Sequence, residues 1–148
     1  RPANVQLAGW PEKSDFLPAL PDAASAKALA DDFAVLLEVR EVVTKALEEA
    51  RGAGLVKKSQ EAAISVSLPA DMLAVASAYD AAVFEELFIV SEVSFAEGEE
   101  LACAVTPASG EKCPRCWNYR TLGGNPNHPD VCERCGDVLD AIGFTEGE

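Results

Sequence analysis

At 148 residues the chain has room for one medium domain, or a small domain carrying a separate metal module. Apolar residues make up 49% and the mean hydropathy is +0.05, enough for a genuine core. Lys and Arg number 12 against 25 Asp and Glu, so the net charge of −13 excludes a free-standing nucleic-acid binder of ordinary basic type. No apolar run approaches the roughly 18 residues of a membrane helix, and the opening RPANVQLAGWPEKSD lacks the apolar core of a signal peptide. A chain that opens on Arg1 is expected to be an excised C-terminal piece of a longer protein, and its odd cysteine, Cys103, suits a reducing cytoplasm.

Residues 1–22 hold Pro2, Pro11, Pro18 and Pro21 and read as a connector, with Trp10 and Phe16 expected to plug into a neighbour. Asp22 then offers an N-cap. Leu29, Phe33, Leu36, Leu37, Val43, Leu47 and Ala50 recur at three- and four-residue steps, predicting a long amphipathic helix over 23–54 that ends at Gly52 and Gly54. Arg40 falls inside that stripe and must find a partner, either an acid on a second helix or an RNA.

Ile64, Val66 and Leu68 alternate with Ser65 and Ser67, a half-buried strand stopped by Pro69. Met72, Leu73, Val75, Ala76, Tyr79, Val83 and Leu87 return to helical spacing, predicting one helix over 70–86. LFIVSEVSF and LACAVTP flank a turn at Ala96–Glu100 that contains Gly98, which reads as a hairpin. Cys103 alternates with Leu101 and Val105 and is expected to be a small buried hydrophobe. No Lys or Arg lies between Lys58 and Lys112, whereas Glu97, Glu99, Glu100 and six other acids do before Glu111; a solvated acidic domain explains this.

Two Cys-x-x-Cys pairs follow, Cys113/Cys116 and Cys132/Cys135, with 15 residues between the inner cysteines. That spacing suits a four-cysteine zinc site. Four thiolates complete a tetrahedral shell and leave no position for water, so such a site is structural, not catalytic. The same ligands would hold a single iron, and two disulfides or free thiols are the non-metal readings. Gly136, next to Cys135, is expected to take a positive φ. Gly123-Gly124 reads as a turn in the metal loop, and His128 as a loop residue outside the ligand set. The fold class is therefore α+β: a long amphipathic helix, a small strand–helix–hairpin domain over 55–110, a four-cysteine zinc ribbon or finger over 111–140, and a short acidic tail over 141–148.

Four stretches carry a family resemblance. Glu111-Lys112-Cys113-Pro114-Arg115-Cys116-Trp117 with Tyr119 and Cys132-x-Arg134-Cys135 resembles the terminal zinc finger of bacterial-type isoleucyl-tRNA synthetases. The helix Leu36-Leu37-x-Val39-Arg40-x-x-Val43-x-Lys45-Ala46-Leu47-Glu48-x-Ala50-Arg51 is similar to the last helix of their anticodon-binding bundle. Ser59-x-Glu61-Ala62 is similar to the entry of their junction domain, and Val5-x-Leu7-x-x-Trp10-Pro11 to the lead-in; Lys57-Lys58 and Gln60 depart from the family's glycine and leucine.

The resemblance implies a class I parent, an isoleucine-tRNA ligase, monomeric and cytoplasmic, that uses ATP and Mg²⁺ in a part absent from this chain. With His128 as its single histidine and no KMSKS-like motif, the chain carries no catalytic site. What remains is a tail that binds the anticodon arm of tRNA and docks on the rest of the synthetase, with one structural zinc on Cys113, Cys116, Cys132 and Cys135. Arg40, Lys112, Arg115, Trp117, Arg120 and Arg134 are the candidate RNA contacts: basic groups for phosphates and an aromatic for an unstacked base. The competing functions are the zinc-finger tail of a DNA-repair glycosylase, an acidic protein-interaction module, and an iron redox centre.

Overall fold

A computed structural model describes Trp10 and residues 22–144. The chain divides into two units, residues 1–34 and 35–148, and the boundary falls within the first helix. In the first unit Trp10 is 98% exposed; Phe16, nearly all of the expected connector and the end of the acidic tail lie outside the described residues. Asp22 does cap the helix: its Oδ1 accepts the N–H groups of Ala24 and Ser25 at 3.0 and 3.1 Å. These are donors that the first turn would otherwise leave unpaired.

Helix α1 runs Ala23–Gly52 and closes as expected, with Gly54 at φ 75° and the Leu55 N–H returning to the Ala50 carbonyl. Within the second unit its buried line is Leu36, Val39, Val43, Leu47 and Ala50, which keeps four residues of the expected stripe but takes in Val39 and leaves Leu37 half exposed. Arg40 is thus not inside the stripe but beside it, exposed, with Nε donating to the Leu87 carbonyl at 3.1 Å. Among the described residues no acid is its partner; the guanidinium meets a carbonyl at the C-terminal end of a later helix, where partial negative charge collects.

After a 3-10 turn at Ser59–Glu61 comes β1 (Ala62–Leu68), with Ala62, Ile64, Val66 and Leu68 buried. Pro69 ends it. The predicted single helix is two, α2 (Ala70–Ala76) and α3 (Ala81–Phe88), because after Ser77 the N–H groups of Ala78 and Tyr79 reach only the Val75 and Ala76 carbonyls and Asp80 adopts an extended conformation ahead of α3. The break interrupts an apolar period that runs straight through it.

Strands β2 (Glu92–Glu97) and β3 (Ala102–Pro107) follow, and they do not form the expected hairpin. The sheet order is β2-β1-β3: β2 runs parallel to β1 and β3 antiparallel to it. The link between them crosses the end of β1, where the Gly98 N–H donates to the Leu68 carbonyl at 2.9 Å. A Cβ on residue 98 would stand 1.8 Å from the Ser67 Oγ, so glycine serves a close backbone crossing there, not a two-strand turn. One sheet face sets Ile64 and Val66 beside Val93, Phe95, Val105 and Cys103. Phe84 of α3 lies edge-on to Phe95, with ring centroids 4.7 Å apart. The other face is polar, with the Ser65 and Ser94 hydroxyls 2.9 Å apart. Among the described residues no helix is long and apolar enough to cross a membrane.

Candidate metal centre

The metal segment folds as a short ladder, β4 (Glu111–Lys112) with β5 (Tyr119–Arg120), and helix α4 (Glu133–Ala141). Its two cysteine pairs are built differently. The first is a knuckle: the Trp117 N–H returns to the Cys113 carbonyl at 2.9 Å and the Cys113 N–H to the Asn118 carbonyl at 2.9 Å. Closing it forces Trp117 to φ 68°, a left-handed conformation uncommon outside glycine. The second pair opens a helix, with Cys132 at the N-cap and Cys135 in the first turn. That places both sulfurs by the positive end of the α4 dipole.

Gly136 does not take a positive φ; it is helical, and a Cβ there would come 2.5 Å from the Asn125 Cβ. Its absent side chain lets the loop lie against α4. Gly123 does turn the loop, at φ 76°.

The four sulfurs converge, with all ligand atoms within 4.8 Å of one another and Cys116 Sγ 3.8 Å from Cys132 Sγ. A tetrahedron with Zn–S bonds of about 2.3 Å has edges of about 3.8 Å, so the cluster fits one four-coordinate ion. None of the five cysteines is in a disulfide. Cys113, Cys132 and Cys135 are buried, and Leu122 and Val131 pack against them. Burial works against a thiolate at Cys113, but N–H groups of Cys116, Cys132 and Arg115 outweigh it and hold that thiol down at about 6. Burial pushes Cys132 up to about 12 and raises Cys116 too. A cation is what would keep all four anionic in so small a volume.

His128 stands outside the sulfur cluster, with Nε2 3.2 Å from an Asp140 carboxylate oxygen. It belongs to a polar clasp that sequence reading missed. Buried Asn125 donates to Asp137 at 3.1 Å and to Asp140 at 2.7 Å, and Asn127 adds a bond to Asp140 at 3.2 Å. Hydrogen bonding from Asn125 above all, then from Asn127, holds the Asp140 carboxyl below its ordinary value. The available signal was Asn125-Pro126-Asn127-His128, a run of short polar side chains too dense for an idle loop.

The candidate RNA residues are not alike. Lys112 Nζ lies 5.2 Å from the half-exposed Trp117 ring and is joined there by Lys58 Nζ at 5.7 Å. Arg115 is exposed, and among the described residues it has no ion-pair partner. Arg120 pairs with Glu85, and Arg134 with Glu86 at 3.2 Å. A third link across this junction is Ser91, which is buried: its hydroxyl accepts the Tyr119 N–H at 2.7 Å and donates to the Gln60 carbonyl. Sequence reading missed it because a lone serine in an apolar run announces no partner.

Residues 110–138 match the family model described as a zinc finger found in FPG and IleRS. That description covers more than one kind of protein, so the rest of the chain decides. Isoleucine–tRNA ligase of Kosmotoga olearia is 35% identical over 95% of this chain, and those of Thermotoga petrophila and Lactobacillus helveticus are 37% and 34% identical over 92% and 93% of it. The chain belongs to the isoleucine–tRNA ligase family. It spans about 15% of the length of these relatives. Membership therefore rests on helix, sheet and finger together, and the finger alone would have left the glycosylase alternative standing.

Proposed function

We propose that this chain is the C-terminal, tRNA-facing part of a cytoplasmic, monomeric isoleucine–tRNA ligase, with one structural zinc on Cys113, Cys116, Cys132 and Cys135. The observation that carries the reading is similarity over nearly the whole chain to one enzyme family, joined to four converged sulfurs at the finger. The parent attaches isoleucine to tRNA with ATP and Mg²⁺ in a part that this chain does not contain. Zinc does no chemistry here; it fixes the surface that meets the anticodon arm.

Within that surface the first contacts fall to Lys112, Arg115 and Trp117, which are exposed and carry no acid partner among the described residues. Arg40, Arg120 and Arg134 are already engaged by protein groups and stand behind them. With a chain charge of −13, attraction at long range is unfavourable and affinity depends on close contact. Lys112→Ala with Arg115→Ala in the full-length enzyme raises KM for tRNA and leaves ATP-dependent isoleucine activation unchanged. Aminoacylation kinetics identical to the parent's would rule out this surface as a tRNA contact.

A further inference from the structure

Zinc held by four thiolates carries about two net negative charges. In this chain one of the four ligands, Cys132, lines a cleft of roughly 340 Å³ at the junction with α3, whose walls also include Glu85, Glu92 and Glu133. Three carboxylates and a ligand of an anionic centre in one cleft require a compensating cation.

Two guanidiniums are present there. Arg134 is 61% exposed and holds Glu86, which is 75% exposed, so solvent screens it. Arg120 is 29% exposed and holds Glu85, which is 17% exposed. One end of Arg120 meets that carboxylate, but its Nε is buried and has no acceptor among the described residues. A charged donor left over in a protein interior calls for an acceptor. No sulfur accepts from it, so any effect on the metal centre is exerted across the cleft; Leu122, two residues on, forms a backbone bridge to Cys132 and packs on the sulfur cluster. Burial alone would lower the Arg120 pKa; Glu85 first, then the sulfurs of Cys132 and Cys116, more than reverse it.

We propose that Arg120 is the counter-charge of the metal centre, a positioning residue that offsets part of the tetrathiolate charge while Glu85 holds the guanidinium to α3. This rests on reading the four cysteines as a zinc site. It also removes Arg120 from the RNA contacts.

The test is the rate at which a chelator takes zinc from the loaded protein. Groups just outside the ligands typically change metal affinity by about 10- to 100-fold. Arg120→Gln is expected to speed release by that order, and Arg120→Lys, which keeps the charge, to restore most of the retention. Glu85→Gln breaks the ion pair yet leaves the guanidinium in the cleft that Cys132 lines, so its release stays within a few-fold of the native rate. If Glu85→Gln released zinc as fast as Arg120→Gln, the pair would be a mere latch and the proposal would fall. Native-like release from Arg120→Gln, or release from Arg120→Lys as fast as from Arg120→Gln, overturns it equally. Should Arg120→Gln not fold, rapid loss from Glu85→Gln still refutes the idea and retention sustains it. Native protein without zinc overturns the zinc reading itself, and is told apart because there is then no metal to release.

Discussion

The sheet and the metal segment sit side by side in one unit, yet they are held by opposite means. Around β1 the stabilising material is apolar: Ile64, Val66 and Leu68 are buried beneath a ring cluster of Phe84, Phe88 and Phe95. The metal segment has no such reserve. Its buried cluster is three cysteines with Leu122 and Val131 against them, and its loop is fastened to α4 by Asn125 and Asp140. A segment this poor in apolar area cannot offset the entropy of ordering its loop without an ion. The sheet can.

The hardest way to break that contrast is to take the metal. Cys113→Ser, or chelation, withdraws a binding energy of about 10–16 kcal/mol typical of structural zinc. Residues 111–140 should lose amide-exchange protection while β1, β2 and β3 keep theirs, as a hydrogen-exchange map would show. Equal loss in both regions would mean that the Ser91, Arg120 and Arg134 links make one cooperative body. The mirror-image experiment is Phe84→Ala. It removes a buried ring between Tyr79, Phe88 and Phe95 and should cost about 3–5 kcal/mol. The thermal midpoint of the sheet falls, and zinc content measured in the cold does not.

A finer cut is Gly136→Ala, which drives a methyl into Asn125 and should destabilise the metal segment by about 1–3 kcal/mol, read from its denaturation midpoint. Acid tests the same clasp. Because the folded Asp140 carboxyl lies below the ordinary value of 3.8, its contribution is complete above that pH and is lost as pH falls further. Asp140→Asn should therefore lower stability near neutrality and flatten the fall below pH 3.8. The smallest effect belongs to Cys103, half-buried in β3, whose thiol burial pushes up to about 11. In zinc-loaded protein it should react with a thiol reagent far more slowly than free cysteine at pH 8.

What the sequence made legible was local. A period of two in β1 and the spacing of the cysteine pairs are patterns complete within a few residues, and both stand in the structure as read. The hairpin was misread because strand, glycine, strand looks the same whether the two strands pair or straddle a third. What separates the cases is that Val66 pairs with both Phe95 and Cys103, a fact about residues far apart in the sequence. The break between α2 and α3 was masked by Tyr79 and Val83, which keep the helical rhythm across it. Arg40 was misplaced by one step of a stripe, since Val39 and not Leu37 turns inward. Ser91 and Asn125 owe their roles wholly to tertiary partners.

The left-handed turn at Trp117 gives this finger an optical handle. Zinc has a filled d shell and is silent to ordinary spectroscopy, but the indole sits one residue beyond a sulfur ligand, its backbone N–H closing the knuckle and two ammonium groups against its ring. Opening the knuckle would free that strained φ and release both ammonium groups from the ring. The chain has just one other tryptophan, Trp10, already 98% exposed and so a constant background. Emission from this protein is therefore a running gauge of whether its first cysteine pair is closed.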